Sequence, residues 1–294
     1  MQIMIVTDSS SDLPLSYVKK HSNNLEVLGM PVMVSGQEYI DDLGEKFSHD
    51  FFYEEMAKGT MPKTSQINVM TFYECFERLA KQEKEILYLG LSSGLSGTFN
   101  NAVLAKNMLL EEYPKAKIEV VDSVAASIGL GVLIYCLIQK VEQDNANLKE
   151  LVEYLEKEKL RANHWFVVDD LIHLKNGGRI PATMAYVGTM LNVKPLLSMD
   201  YSGKLETFGK VRGKTRACKY ILEKISEHLQ DSQEIIIIGH ANAPEDVKYL
   251  VEELEKTNKS NPIILTCLSA TIASHVGPGM LAVAFMGGNP RESK

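Results

Sequence analysis

Ile3-Met4-Ile5-Val6-Thr7-Asp8-Ser9-Ser10-Ser11-Asp12-Leu13-Pro14 is the stretch on which the fold turns. Ile3–Thr7 is a short run of apolar and β-branched residues, which reads as a strand. It ends in the polar cluster Asp8-Ser9-Ser10-Ser11, and a helical pattern follows at Leu15–His21. The same order returns twice. Glu85–Leu91 leads through Ser92-Ser93-Gly94 to a helix at Thr98–Glu112, and Lys117–Val121 leads through Asp122-Ser123 to a helix at Val124–Val141. Repeated strand, small polar loop and helix predicts a parallel sheet flanked by helices. Leu25–Val34 is a further strand candidate, interrupted by Gly29 and Pro31. Loops at strand C-termini are where open α/β sheets bind ligands. Here they are rich in hydroxyls, although any one Ser, Thr or Asp there also serves as a helix cap.

The pattern changes after the charged helix Leu148–Lys159. His164–Val168 reads as a strand and Lys175-Asn176-Gly177-Gly178-Arg179 as a loop. Val193–Met199 and Lys204–Lys210 flank Asp200-Tyr201-Ser202-Gly203, which suits a hairpin turn. Strands at Glu234–Gly239, Pro262–Leu268 and Leu281–Phe285 alternate with helices at Thr215–Leu229 and Pro244–Glu255. This half is expected to be an α+β unit, a mixed or antiparallel sheet with helices mainly on one face. With 294 residues the chain suits one large or two modest domains, and the change of pattern places a boundary near Ala162, between an N-terminal α/β domain (1–162) and a C-terminal α+β domain (163–294).

Composition narrows the function. The net charge of -7 argues against a general nucleic-acid binder. Cysteines at positions 75, 136, 218 and 267 form no C-x-x-C pair and read as buried free thiols of a reducing compartment. The N-terminal apolar run lacks a basic leader, and no uncharged apolar run reaches membrane-spanning length. The longest such run, Ser123–Gln139, contains Gly129 and Gly131 and reads as a buried helix. A cytoplasmic protein is expected.

Three tempting motifs fail. Gly209-Lys210-Val211-Arg212-Gly213-Lys214-Thr215 resembles a phosphate loop, but Phe208 stands where the first glycine is required. Gly94-Leu95-Ser96-Gly97-Thr98 has Thr98 in place of the last glycine of a nucleophile elbow. Gly129-Leu130-Gly131 lacks the third glycine of a dinucleotide fingerprint, since residue 134 is Ile. The adjacent acids Asp41-Asp42 and Asp169-Asp170 suit solvated turns better than a metal site, and the histidines are dispersed. Neither a metal nor a cofactor is expected.

Six strings remain: Asp8-Ser9-Ser10-Ser11-Asp12-Leu13-Pro14, Pro62-Lys63-Thr64-Ser65-Gln66, Leu91-Ser92-Ser93-Gly94-Leu95-Ser96-Gly97-Thr98, Val121-Asp122-Ser123, Leu174-Lys175-Asn176-Gly177-Gly178-Arg179-Ile180 and His275-Val276-Gly277-Pro278-Gly279. In identity, order and spacing they resemble the DegV family over nearly the whole chain. The family often has proline where this chain has Ile67, and glycine where it has Ala273. These changes reshape a pocket rim without removing a polar group.

The resemblance implies a two-domain α/β protein that holds one long-chain fatty acid between its domains. It further implies a lipid-binding subunit, without catalysis of its own, of a bacterial fatty acid kinase. A separate ATP-binding kinase subunit would phosphorylate the presented carboxylate, and the acyl-phosphate would pass to phospholipid synthesis with transient contact to a membrane or an acyltransferase.

A fatty acid needs a dry tunnel for its tail and hydrogen-bond donors for its head. Hydroxyls and backbone N–H groups at a helix N-terminus can hold an anion. Ser96-Gly97-Thr98 opens a helix and supplies such donors. By resemblance Thr64 and Ser96 are first choices for the carboxylate, and Ser65 and Ser93 second choices. His275, before a Gly-Pro-Gly turn, is expected to aim its ring at the same group. Val124–Leu137 and Thr183–Leu191 are candidate tail walls, with Met30, Met33, Met184, Met190 and Met280 as adaptable lining. Arg179, Lys194, Arg212, Lys214 and Arg216 form a candidate basic patch for docking the kinase subunit, led by Arg179 and Arg212 because arginine grips oxyanions with paired bonds. The competing reading is a serine-dependent acyl-ester hydrolase with His275 as base to Ser93 or Ser96.

Overall fold

β1 (Ile3–Asp8) is buried along its whole length, which its unbroken apolar run requires. In the computed structural model, which describes residues 2–181, 192–229, 234–257 and 261–293, its side chains divide by the period of a strand. Met4 and Val6 pack with Phe72 and Phe76 of α3 (Val69–Lys81) and Ala102 and Ala105 of α4 (Thr98–Glu112). Ile3 and Ile5 face the other way, towards α5 (Ser127–Glu142). β1 lies between β2 (Leu25–Leu28) and β6 (Glu85–Gly90), with β7 (Ile118–Asp122) beyond, and every pair is parallel. The predicted parallel sheet is therefore present.

The single strand expected at Leu25–Val34 is two. β3 (Met30–Val34) leaves the parallel sheet and pairs antiparallel with β4 (Gln37–Asp41) and β5 (Lys63–Thr64). Gly29 sits at the break, where a Cβ would come 2.7 Å from the carbonyl oxygen of Asp41. No side chain fits that approach.

The second half forms a six-stranded sheet in the order β10 (Leu205–Arg212), β9 (Val193–Met199), β8 (Ala162–Val167), β13 (Leu281–Met286), β11 (Ile236–His240), β12 (Ile263–Cys267). Only β11 and β12 pair in parallel; the remaining neighbours are antiparallel. Asp200 closes the β9–β10 hairpin by accepting from the N–H groups of Ser202 and Lys204, each at 2.8 Å. α8 (Lys214–His228) and α9 (Pro244–Thr257) cover one face through Ile221, Ile225, Leu250 and Leu254. The expectation of helices on one face needs correcting. α5, from the first half, covers the opposite face, which is why it is apolar nearly all round. One core thus runs from Ile5 through Leu130 to Ile237, across the start of the mixed sheet at Ala162.

Polar ties reinforce this joint. Asp12 accepts from the N–H of Ser269 at 2.7 Å, and Asp41 accepts from the N–H of Thr271 at 2.8 Å. Both residues lie at the start of α10 (Ala270–Val276). Burial pushes the Asp12 carboxyl up to about 7 and raises that of Asp41 as well. Arg291, fully buried near the C-terminus, donates to the carbonyls of Asp200 at 2.6 Å and Val124 at 2.8 Å.

Candidate functional site

A cavity of about 780 Å³, mouth included, opens where the first-half loops meet the mixed sheet. Its walls are mainly apolar, built by Leu91, Leu95, Phe166, Leu174, Met199 and Ile272 among others. This size and character fall within the usual range for small-molecule sites. Met30 and Met280 line it, whereas Met33 is exposed and lies outside the lining. From the apolar helix expected to supply a wall, Ala126, Ser127 and Ile128 reach the cavity. Thr183–Leu191, Met184 and Met190 lie outside the described residues.

Thr64, Arg179 and His275 line both this cavity and an adjoining groove bordered by Lys63, His173 and Asn176, so they mark its mouth. Thr64 is placed by the pairing of β5 with β3, opposite Val32. His275 sits on the last turn of α10, and its Nε2 lies 2.7 Å from Thr64 Oγ1. The histidine thus meets a hydroxyl, where the sequence reading aimed it at the ligand. Burial, then Arg179 and His173, pushes its pKa down to about 3. The ring is neutral at physiological pH, and among the described residues the positive charge of the cavity lining belongs to Arg179.

Arg179 follows α7 (Ile172–Asn176) and the Gly177-Gly178 turn. Its Nε donates to the carbonyl of Leu95 at 3.2 Å and its Nη1 to that of Gly177 at 2.5 Å. Among the described residues it has no carboxylate partner, and burial lowers its pKa. A half-buried guanidinium held by two carbonyls keeps donors for an anion. The sequence reading put Arg179 on an outer patch; the chain folds it into the cavity lining. Gln66 lines the cavity too and was missed as a site residue, although it ends one of the conspicuous strings.

Ser96 lines the cavity just before α4, its Oγ accepting from the N–H of Thr98 at 3.2 Å and lying 2.9 Å from Thr98 Oγ1. Gly97 is the N-terminal cap of α4, and a Cβ there would meet Gln66 Oε1 at 2.2 Å, so the glycine admits the Gln66 side chain. Ser65 borders the cavity at its exposed rim. Ser93 is exposed and absent from the lining; its N–H is engaged by Asp122 Oδ1 at 3.2 Å. The structure therefore brings together Thr64, Ser65, Ser96, Arg179 and His275 and leaves Ser93 outside.

Neither serine of the hydrolase reading meets His275. Ser96 is bonded to Thr98, His275 is bonded to Thr64, and a ring titrating near 3 is a weak base. The acid pairs are engaged by protein donors. Asp42 accepts from the N–H of Lys46 at 2.9 Å, and Asp169 pairs with Lys194 at 2.7 Å. Lys214 pairs with Asp246 and stands 3.7 Å from Asp169. Two members of the expected basic patch are thus neutralised within the protein. Arg212, at the end of β10, remains exposed, as does Arg216.

No helix among the described residues is long and apolar enough to cross a membrane. A family model described as "Uncharacterised protein, DegV family" matches residues 2–287. The DegV domain-containing protein YteA of Lactococcus lactis subsp. lactis is 39% identical over 293 residues, covering 99% of this chain and 100% of that protein. A DegV domain-containing protein of Clostridium perfringens is 37% identical, covering 97% and 98%. Among solved structures, a DegV family protein from Thermus thermophilus described as fatty acid binding superposes with a TM-score of 0.86 at 30% identity, covering 98% of this chain and 100% of that one. The fatty acid binding DegV family protein SAG1342 from Streptococcus agalactiae gives a TM-score of 0.85 at 27% identity, covering 98% and 100%.

Proposed function

We propose, since this chain belongs to the DegV family, that it is a carrier holding one long-chain fatty acid in the cavity between residues 1–162 and 163–294, taken as two domains. The observation that carries this reading is an apolar cavity with a half-buried arginine at its mouth that has no carboxylate partner among the described residues. Burying ~15 methylenes at about 0.8 kcal/mol each supplies roughly 12 kcal/mol before the costs of association. Arg179, Thr64 and Ser96 hold the carboxylate, with Ser65 and the Gly97 backbone at the rim. His275 acts through Thr64: when its Nε2–H donates to Thr64 Oγ1, the Thr64 hydroxyl is free to donate onward to the acid. No cofactor is required for this. Organic extraction of the purified protein followed by mass analysis should release one long-chain fatty acid per chain. A protein that is empty, and that also ignores added palmitate and oleate, overturns the proposal.

The carboxylate at the mouth suits presentation to a second protein. We assign the acceptor role to the cytoplasmic ATP-binding subunit of a fatty acid kinase, which would form the acyl-phosphate for phospholipid synthesis. The exposed Arg212 is its docking contact. Charge reversal there should raise the KM for the carrier in a kinase-coupled assay, more so at low salt, while lipid binding stays intact. Phosphorylation at the wild-type KM would remove Arg212 from that role.

Thr64→Val and Ser96→Ala each delete one donor to a charged acceptor. Each is expected to weaken fatty acid binding by about 1–2 kcal/mol in a fluorescent-lipid displacement titration. An unchanged affinity in the double variant would place the carboxylate elsewhere.

A further inference from the structure

The cavity runs along β8. The C-terminal end of that strand leads into α7 and Arg179, and its Val167 stands opposite Leu281, next to the cavity residue Met280, so this end is the mouth. Phe166 pairs with Leu197 of β9, and Ser198 Oγ donates to the His164 carbonyl at 2.5 Å. Met199, two residues beyond Leu197 on the same face, therefore lies at the level of His164, about 7 Å deeper than Leu197. Leu205 of β10 stands directly opposite Met199. Both line the cavity, and Met199 is 1% exposed in a cluster with Leu91 and Ala126, which line it too. Behind them the wall is pinned. Arg291 joins the carbonyl of Asp200, next to Met199, to that of Val124, just before Ala126 in the chain. Ser92 Oγ donates to the carbonyl of Gly203 at 2.8 Å, and a Cβ on Gly94 would come 2.8 Å from the carbonyl oxygens of Ser202 and Gly203. The β9–β10 turn is thus seated on the loop that follows β6, and lengthening the cavity past Met199 would break these buried bonds.

We propose that Met199, with Leu205 opposite it, is the stop for the methyl end of the tail, so that these two side chains fix the longest acyl chain the cavity takes. This rests on the carrier reading above and adds a length limit to it. Until the tail reaches the stop, each added methylene leaves water for an apolar wall and tightens binding about fourfold. Past it, a further methylene must buckle the chain or push the carboxylate off Arg179, and the gain ends. The Met199 side chain is flexible in itself, but the packed wall behind it leaves little room to yield.

The test offers delipidated protein an equimolar series of straight-chain saturated acids from laurate to behenate and reads the bound set by extraction and mass analysis. Occupancy should rise with length and then fall about tenfold or more over the next two carbons. Met199→Ala frees room for about two methylenes, so the break should move outward by about two carbons. The first acid that the unaltered protein excludes should then gain about tenfold over the last one it accepts. Leu205→Ala should move the break in the same direction, and because Leu205 is only half-buried it gives the reading even if Met199→Ala does not fold. No acid bound at all overturns the carrier reading and this inference with it. Acids bound with no break up to behenate, or a break that neither substitution moves, overturns this inference alone.

Discussion

Replacing Arg179 with leucine is expected to weaken fatty acid binding by about 2–3 kcal/mol, roughly 30- to 150-fold in Kd. Of the described groups that line the cavity, Arg179 supplies the positive charge. Its guanidinium is held by the carbonyls of Leu95 and Gly177, has no acid partner among the described residues, and is partly desolvated. A carboxylate arriving there gains a charge-assisted bond that neutral hydroxyls cannot match. The effect on the empty protein should be much smaller or of opposite sign, because an unpaired buried charge is removed. Displacement titration gives the first quantity and chemical denaturation of delipidated protein the second. An affinity within a factor of two of wild type would show that the head group does not reach Arg179. A parallel collapse of stability would show that the arginine serves the fold instead.

The second large effect is structural. Arg291→Ala should lower the free energy of unfolding by about 3 kcal/mol. The side chain is fully buried and donates to Val124 of the first half and Asp200 of the β9–β10 turn. Truncation leaves the Val124 carbonyl without this donor, removes one of two donors to the Asp200 carbonyl, which also accepts from the N–H of Gly203 at 3.1 Å, and opens a cavity as large as the side chain. Relief of the charge's own desolvation, which already pushes its pKa down to about 10, offsets part of the loss. Denaturant titration with an unchanged m-value is the check. A shift under about 1 kcal/mol would mean that water replaces the guanidinium at little cost.

Much of the frame was legible because strand, polar loop and helix each leave a periodic mark. β1, β6, β7 and the β9–β10 hairpin stand where their residues indicated. α3 was overlooked although Phe72, Cys75, Phe76 and Leu79 form a helical stripe behind an Asn68 cap. β4 and β5 are short and solvent-facing, and a two-residue strand such as Lys63–Thr64 has no period to detect. At the site, Thr64 and Ser96 were marked by strings that recur in one family, and they do line one cavity. Arg179 was visible as a residue but not in its direction. Whether a loop arginine points out or in depends on the turn at Gly177-Gly178 and on the carbonyl of Leu95, distant in sequence. Ser93 misled for the opposite reason: it shares a string with Ser96 but lies on the solvent side of the same loop.

The helix shared by the two sheets has a kinetic consequence. Many cleft proteins trade ligand by swinging two lobes apart on a hinge. Here such a swing would tear α5 from either β1 or β11, exposing fully buried residues such as Leu130, Ile134 and Ile237, each worth roughly 1.5–3 kcal/mol. The buried ties of Asp12, Asp41 and Arg291 would break in the same movement. In the proposed fatty acid complex the lipid would therefore thread in and out lengthwise past the rim at Ser65, Gln66 and Arg179, like a cord through an eyelet. Residence time in the proposed complex is governed by how often that rim loosens, and the carboxylate at the mouth leaves first, with the tail drawn out behind it one methylene after another.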